Sequence, residues 1–456
     1  MAAAMEHKRV VITGMGAFTP LGQDMPHTWE SVVSGRPNVR RIEQFDIRDC
    51  RTQIASYIDE YKPLLSENFS PSQLKNLRFG DRFVDFAALA AKEALSDARL
   101  LDSTGRLFET YAEETGISVG TSIGTPGKIT EAANSFGFDH DINTADKTAV
   151  AEKMRHTSRK YRTSAITILP DSAAFTVSVL FGTKGIITCD VAACSTSNMN
   201  IILGATWIRH GYQKIIVAGG ADALVDPLST WLFGLLGVTS ARNNDPSKAS
   251  RPFDKERDGF VMAEGSAILV LEELEHALAR GANIYGELIG WGVTSDGGGF
   301  TQPESDDIKN WGQVRSIKIA LHDAGISTAD VDYINAHGTS TIVGDINETK
   351  TIKEAYAEYA YKIPISSTKS ITGHFGGTTG ALETIFCIQA IREGIIPPTI
   401  NYEIPDPECD LNYTPNVAVK KKIDIAVNHS FGFGGQNAIL VLKKFDNESH
   451  GKEQSA

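Results

Sequence analysis

Short aliphatic runs that close on glycine recur along this chain, each followed by a segment of helical periodicity, and this alternation narrows the fold more than any other feature. Lys8-Arg-Val-Val-Ile-Thr-Gly14 runs into the glycine turn Gly14-Met-Gly16, Thr115-Gly-Ile-Ser-Val-Gly120 enters a second, and Lys214-Ile-Ile-Val-Ala-Gly-Gly220 ends a third strand. Between them, Phe83, Phe86, Leu89, Ala90 and Leu95 repeat at helical spacing within Asp81 to Leu100. Ser266 to Leu271 reads as a further strand leading into a charged helix, which Gly281-Ala-Asn283 breaks. A second series then opens at Ile284. It places helices around Trp311 to Ala324, Asn347 to Tyr359 and Gly380 to Arg392, with strands at Val331 to Asn335, Ile423 to Val427 and Ala438 to Leu442. Strands alternating with helices predict an α/β layered fold with a largely parallel central sheet. Two such series predict two fused, similar halves, residues 8–283 and 284–445, followed by a polar tail, 446–456, although no sequence repeat marks them.

Composition removes several classes of function. A net charge of −12 argues against nucleic-acid binding. Cys50, Cys189, Cys194, Cys387 and Cys409 are odd in number and scattered, without metal-ligand spacing, so neither a disulfide framework nor a zinc site is expected. No apolar run approaches the roughly 18 residues that span a membrane. The N-terminal residues carry no targeting pattern. The expected location is the cytoplasm.

Asp190-Val-Ala-Ala-Cys194-Ser-Thr-Ser197 lies between the β-branched run Gly185 to Cys189 and a helical pattern from Asn198 to Arg209. Strand, small-residue turn and helix follow one another, which places Cys194 at a helix entrance, where free N–H groups and the helix dipole favour a thiolate. The alternative for a lone cysteine is a buried structural thiol. Three further stretches each set a titratable or aromatic residue among small ones at a strand end: Asn335-Ala-His337-Gly-Thr339-Ser-Thr341, Ser366-Ser-Thr-Lys369-Ser-Ile-Thr-Gly-His374-Phe-Gly-Gly377, and Asn428-His-Ser-Phe-Gly-Phe433-Gly-Gly-Gln-Asn437. Ligands of open α/β sheets bind at the carboxyl ends of strands. A single histidine is more often a satisfied structural group, but two in such loops beside a candidate thiolate are harder to explain that way.

These motifs, with Ser250-Arg-Pro-Phe-Asp-Lys-Glu-Arg-Asp-Gly-Phe-Val261 and Pro397-Pro-Thr-Ile-Asn401, resemble those of the elongating β-ketoacyl-acyl carrier protein synthases, the thiolase-fold condensing enzymes. The likeness runs from Arg9 to about Phe445 and is closest to the type II bacterial ketosynthase. It implies a thiolase fold, five-layered αβαβα with two pseudo-symmetric halves, and a dimer. It implies that Cys194 is the nucleophile, completed by His337 and His374, with the N–H groups of Cys194 and Phe433 as oxyanion hole. Lys369 would order the triad electrostatically, with Glu348 as its acidic partner. A structural ion pair is the other reading of Lys369 and Glu348, close to that role. Thr339 and Thr341 would hold the phosphopantetheine arm of an acyl carrier protein. Ile123 and Phe233 would line the acyl pocket, with Phe433 as its gate, although all three could equally be core residues. Lys75, Arg78 and Arg82 would belong to a basic carrier-protein patch, or form an ordinary solvated face. No bound cofactor or metal is implied, since substrates arrive on the carrier protein.

The chain departs from the family at three places. Residues 128–170, with a basic cluster from Lys153 to Arg162, are longer than the usual segment at the dimer interface and acyl pocket. Gln436 stands where threonine is commoner, and Gly237 where a basic residue is frequent. The resulting expectation is decarboxylative condensation of malonyl-carrier protein with a Cys-bound acyl chain in fatty-acid synthesis. The alternative is the catalytic ketosynthase of a type II polyketide or polyene pathway paired with a chain-length factor. The dimer is accordingly a homodimer or a heterodimer with such a subunit. A non-catalytic partner subunit would lack Cys194, a degradative thiolase would carry a second cysteine for the second histidine, and an initiating ketosynthase would carry asparagine in place of His374.

Overall fold

The computed structural model describes residues 7–78, 80–124, 126–130, 167–298, 308 and 311–446. The expected excursion at 128–170 therefore lies largely, and the tail after 446 wholly, outside the described residues. Among the described residues, ten strands form the main sheet. In chain order they are β1 (Val10–Phe18), β2 (Thr115–Gly120), β3 (Ile187–Thr188), β4 (Ile215–Asp222), β5 (Gly265–Glu273), β6 (Gly286–Ser295), β7 (Tyr333–Asn335), β8 (Ile365–Ser366), β9 (Ile425–Gly432) and β10 (Gln436–Lys443). Their spatial order is β8-β7-β9-β10-β6-β1-β5-β4-β2-β3.

This order contains an exact internal repeat. Read outward from the centre, the first half runs β1-β5-β4-β2-β3 and the second β6-β10-β9-β7-β8, so every strand has its counterpart five strands later. The pairing repeats as well: the two inner pairs of each half are antiparallel and the two outer pairs parallel. The halves join through a short antiparallel contact of β1 with β6, Val10 opposite Leu288. The sheet is thus mixed rather than largely parallel. In the second half the cause is local: only three residues, 433–435, separate β9 from β10, and so tight a link can join antiparallel neighbours only.

The glycines of β1 do not make a turn. The strand continues through Gly14 and Gly16, which let the helix α1 (Arg82–Asp97) press onto it. A Cβ at either position would lie 2.2 or 2.1 Å from a carbonyl oxygen of Ala94 or Ala90.

Helices complete five layers. Helix α1 and α2 (Ser172–Phe181) cover one face of the first half, and α4 (Gly312–Asp323) and α5 (Ile342–Tyr356) cover the second. Between the halves lie α3 (Thr196–Arg209) and α6 (Thr379–Glu393). Three apolar cores fill the spaces between the layers. Phe83, Phe86 and Val177 belong to the outer core of the first half, Ile201, Leu382 and Phe386 to the core on both sides of the central helices, and Val314, Ile317 and Ile352 to the outer core of the second half. In α6, Thr379 to Ile391 are all buried, as expected of a helix enclosed on every side. Among the described residues, no helix is long and apolar enough to cross a membrane.

Candidate active site

The thiol of Cys194 is carried on a single 3-10 turn, Ala193–Ser195, that leads into α3. Ala193 has φ of 47°, in the left-handed region that a Cβ disfavours. The second half holds this turn in place. The Ser195 hydroxyl points between the carbonyls of Ser430 and Gln436 (3.1 and 2.7 Å), and Ser430 Oγ donates to the Cys194 carbonyl at 3.0 Å. The motif residues 428–432 are thus part of β9 rather than a strand-end loop, and only 433–435 form the turn.

His337 follows β7. Its backbone N–H and that of Gly338 both donate to the Glu348 carboxylate, at 2.8 and 2.6 Å. His374 follows the short helix Lys369–Thr372 and is tied to the first half: its N–H donates to the Val261 carbonyl (2.7 Å), and its carbonyl accepts from Ala263 N–H (2.9 Å). The two imidazoles stand edge to face, centroids 5.6 Å apart. Cys194 Sγ and a ring nitrogen of each histidine all lie within 4.8 Å of one another, a donor set that a thiophilic cation could also occupy. The Gly376 N–H donates to His374 Nδ1 at 3.2 Å, so in the neutral ring the proton resides on Nε2.

The acidic partner of Lys369 is Glu383, not Glu348. Lys369 Nζ lies 2.5 Å from Glu383 Oε1, and both side chains are fully enclosed. Glu383 is in the first turns of α6, directly above the short helix that begins with Lys369, whereas Glu348 is occupied with the His337 loop. No sequence signal separated the two carboxylates.

Burial decides the resting protonation. It pushes the Cys194 thiol up to about 11, against the opposing pull of the Phe433 backbone N–H and the Lys369 charge. The helix entrance therefore does not leave a thiolate at rest. Burial and then Lys369 push His374 down to about 3, and burial, Lys369, His374 and His429 hold His337 well below its ordinary range. The resting site is a neutral thiol beside two neutral imidazoles.

A cavity of about 390 Å³ opens onto Cys194, His337 and His374, with Thr339, Thr341 and Phe433 in its wall. Thr339 and Thr341 hydroxyls lie 2.9 Å apart. Gly237 is also in the wall, while Gln436 contributes its backbone carbonyl to Ser195. Phe433, 37% exposed, sits on a turn whose next two residues, Gly434 and Gly435, both have positive φ. Phe233 does not reach the cavity wall. It packs on Phe260, which lines the cavity with its ring 5.2 Å from that of His374 and which the sequence reading did not single out. Ile123 is outside this cavity and 42% exposed. Lys75 and Arg78 are exposed, but Arg82 is bound to the buried Glu264 and to the Ile58 carbonyl, so it is a structural cation. The Ser250–Val261 motif acts as a buttress: Ser250 Oγ donates to the Lys369 carbonyl (2.6 Å) and Arg251 N–H to Ser340 Oγ (3.0 Å).

A two-half αβαβα fold with one cysteine and two histidines meeting between its halves defines a thiol-dependent condensing enzyme of the thiolase class. The chain belongs to the β-ketoacyl synthase family: residues 7–277 match the β-ketoacyl synthase N-terminal domain and residues 285–403 the C-terminal domain. It is 40% identical to the 3-oxoacyl-[acyl-carrier-protein] synthase 2 of a Synechocystis species, over 97% of this chain and all of that protein. It is also 40% identical to the enzyme of the same name from Coxiella burnetii, over 96% of this chain and 99% of the relative. Among solved structures, a β-ketoacyl synthase from Burkholderia phymatum superposes with a TM-score of 0.82 at 32% identity, covering 96% of this chain and all of the other. A ketosynthase in complex with its type II polyketide acyl-carrier protein matches with a TM-score of 0.82 at 31% identity and the same coverage.

Proposed function

We propose that this chain elongates carrier-bound acyl groups in fatty-acid synthesis, with Cys194 as the acyl-carrying nucleophile. The observation that carries this reading is the convergence of Cys194 Sγ with nitrogens of His337 and His374 within 4.8 Å, at a cavity that opens to the surface. The thiol attacks the incoming thioester as its proton passes to a neutral histidine and on to the departing pantetheine thiol. Backbone N–H groups of Cys194 and Phe433, both directed at the sulfur, receive the oxyanion. The malonyl thioester then loses carbon dioxide. The electron pair of the breaking C–C bond becomes an enolate, whose oxygen takes hydrogen bonds from His337 and from His374 Nε2–H. The enolate carbon attacks the acyl thioester, and the tetrahedral intermediate expels Cys194 as a thiolate, which takes up one proton from solvent to restore the resting thiol as the β-ketoacyl product forms. Lys369, neutralised by Glu383, keeps the imidazoles uncharged and able to serve in both steps.

The substrates come on the phosphopantetheine of an acyl carrier protein, whose arm Thr339 and Thr341 hold. No resident cofactor is required. Lys75 and Arg78 provide the exposed cations of the docking face. A dimer forms along β3: this edge strand and the residues flanking it present exposed Ile187, Ile186 and Val191, whereas its counterpart β8 is buried and capped by a hydrogen bond from Ile365 to the Asn412 carbonyl. Ile123, exposed in one protomer, is then covered by the partner and joins the acyl pocket. Five free cysteines fit a reducing cytoplasm. The polyketide reading draws on the carrier-bound ketosynthase neighbour and on a ketosynthase/chain length factor of TM-score 0.82 at 30% identity. The higher identity to the synthase 2 enzymes favours fatty-acid elongation. Mass spectrometry of Cys194 after exposure to a panel of acyl-carrier proteins tests the reading. A +acyl mass on Cys194 with saturated chains is the expected result, and a thiol that stays free with every acyl donor would sink it.

A further inference from the structure

His429 is fully buried in β9, a strand enclosed between β7 and β10, and the chemistry described above makes no use of it. Its neighbour Ser430 projects to the opposite side of the strand and grips the Cys194 carbonyl. His429 turns the other way, toward the histidine-bearing loop. Its Nδ1 lies 3.4 Å from Glu348 Oε1, and its Nε2 lies 3.0 Å from the hydroxyl of Tyr356, which is itself fully buried on α5. Glu348, also buried, accepts the backbone N–H groups of His337 and Gly338. Phe431, on the same side of β9 as His429, packs edge-on against the His337 ring, with centroids 5.9 Å apart.

The hydrogen-bond polarity of this string is determined by its end. The Glu348 carboxylate only accepts, so His429 donates through Nδ1–H, and its Nε2 lone pair accepts the Tyr356 hydroxyl proton. Tyr356 thereby selects the tautomer that can hold Glu348, and Glu348 fixes where the His337 loop sits. A displacement of about 1 Å at a catalytic group can cost on the order of a hundredfold in rate, so a group that fixes the loop has kinetic consequences without touching substrate.

We propose that His429 is a positioning residue for the decarboxylation half-reaction, acting through Glu348 on the His337 loop, with Tyr356 setting its tautomer. The proposal rests on the condensing reading above. The experiment measures, for each variant, loading of Cys194 from octanoyl-carrier protein and carbon dioxide release from malonyl-carrier protein. His429→Phe removes both ring nitrogens. It is expected to load Cys194 at close to the wild-type rate and to release carbon dioxide about tenfold more slowly. In His429→Asn, the side-chain amide can place an N–H where Nδ1–H stood, and it restores release to within about twofold of wild type. Tyr356→Phe slows release about threefold in the wild-type background, and that loss disappears in the His429→Asn background, where no tautomer remains to be chosen. A merely structural role would lower both half-reactions together, would not be rescued by asparagine, and would give the Tyr356→Phe loss in both backgrounds. Any of these results overturns the proposal. If His429→Phe does not fold, the Tyr356→Phe comparison in the two backgrounds decides. Wild-type protein that neither loads Cys194 nor releases carbon dioxide overturns the condensing reading, and the proposal with it.

Discussion

Lys369 and Glu383 form a fully enclosed ion pair, Nζ to Oε1 2.5 Å, set between the short helix that leads to His374 and the first turns of the central helix α6. The pair puts one positive charge close to Cys194, His337 and His374 while presenting no net charge to the core. Its effect reaches all three groups in the direction catalysis needs: Lys369 draws the thiol downward and disfavours protonation of each imidazole.

Removing one member of a buried pair leaves the other uncompensated, a loss of about 3–5 kcal/mol. Glu383→Ala is therefore expected to unfold at a markedly lower temperature than wild type, while Glu348→Ala leaves the pair intact. An apolar double replacement, Lys369→Met with Glu383→Leu, should recover most of the stability but not the condensation rate. Thermal melts and turnover of the three variants check this, and a Glu383→Ala protein melting with wild type contradicts it.

The histidines make the fold sensitive to acid. An unfolded histidine protonates near pH 6.5, whereas burial and Lys369 hold His374 at about 3 in the folded protein. Between those values the unfolded state binds more protons, so stability falls as pH falls, by about 1.4 kcal/mol per pH unit from this residue alone. Buried carboxylates pull the other way, since burial raises Glu264 and Glu383 to about 7. The difference between variant and wild type isolates the histidine. His374→Asn should lose less stability than wild type between pH 6 and 4, and parallel denaturation curves at each pH would refute it.

The resting thiol leads to a third expectation. With Cys194 near 11, alkylation by iodoacetamide should rise about tenfold per pH unit from 7 to 9, because only the thiolate reacts. Lys369→Met removes the charge that draws the thiol down, so it should slow alkylation at every pH in this range. A rate independent of pH above 7 would show instead that the thiolate predominates at neutrality.

Much of this was legible in the sequence, for physical reasons. Cys194, His337, His374 and Lys369 stand in long motifs that set titratable residues among small ones, and the structure brings all four together. Helix α4 of the second half was readable because its apolar periodicity reports burial directly. Gly14, Gly16 and Gly220 misled: they lie inside strands, where glycine permits close approach of other backbone or side chains, and a glycine inside a strand looks like one that ends it. Strand direction was hidden because β10 inserts beside β6, a partner about 150 residues away in sequence, and local pattern does not record distant pairing. The choice between Glu348 and Glu383 likewise depends on how α5 and α6 stack, which no spacing along one helix reveals.

The two half-reactions should separate in the histidine variants. Decarboxylation creates a negative oxygen that needs donors already in place, and His374 offers an N–H there because Gly376 occupies its other nitrogen. Acyl loading needs the proposed oxyanion hole, whose donors would be backbone N–H groups of Cys194 and Phe433 that no histidine substitution removes. A lost donor to a developing oxyanion costs roughly a hundred- to a thousandfold in rate. His337→Ala and His374→Ala should therefore slow carbon dioxide release from malonyl-carrier protein by about that factor, with a smaller loss in acylation of Cys194. Cys194→Ala should show the opposite pattern, no acyl-enzyme but continued decarboxylation, since the enolate site survives. The turn at Ala193 tolerates this change because the substitution leaves the clamp of Ser195 and Ser430 untouched. Acyl-enzyme mass and carbon dioxide release, measured on the same preparations, provide the comparison. Equal losses in both steps for both histidine variants would mean that the imidazoles serve the thiol as much as the enolate, and the division of labour would fall.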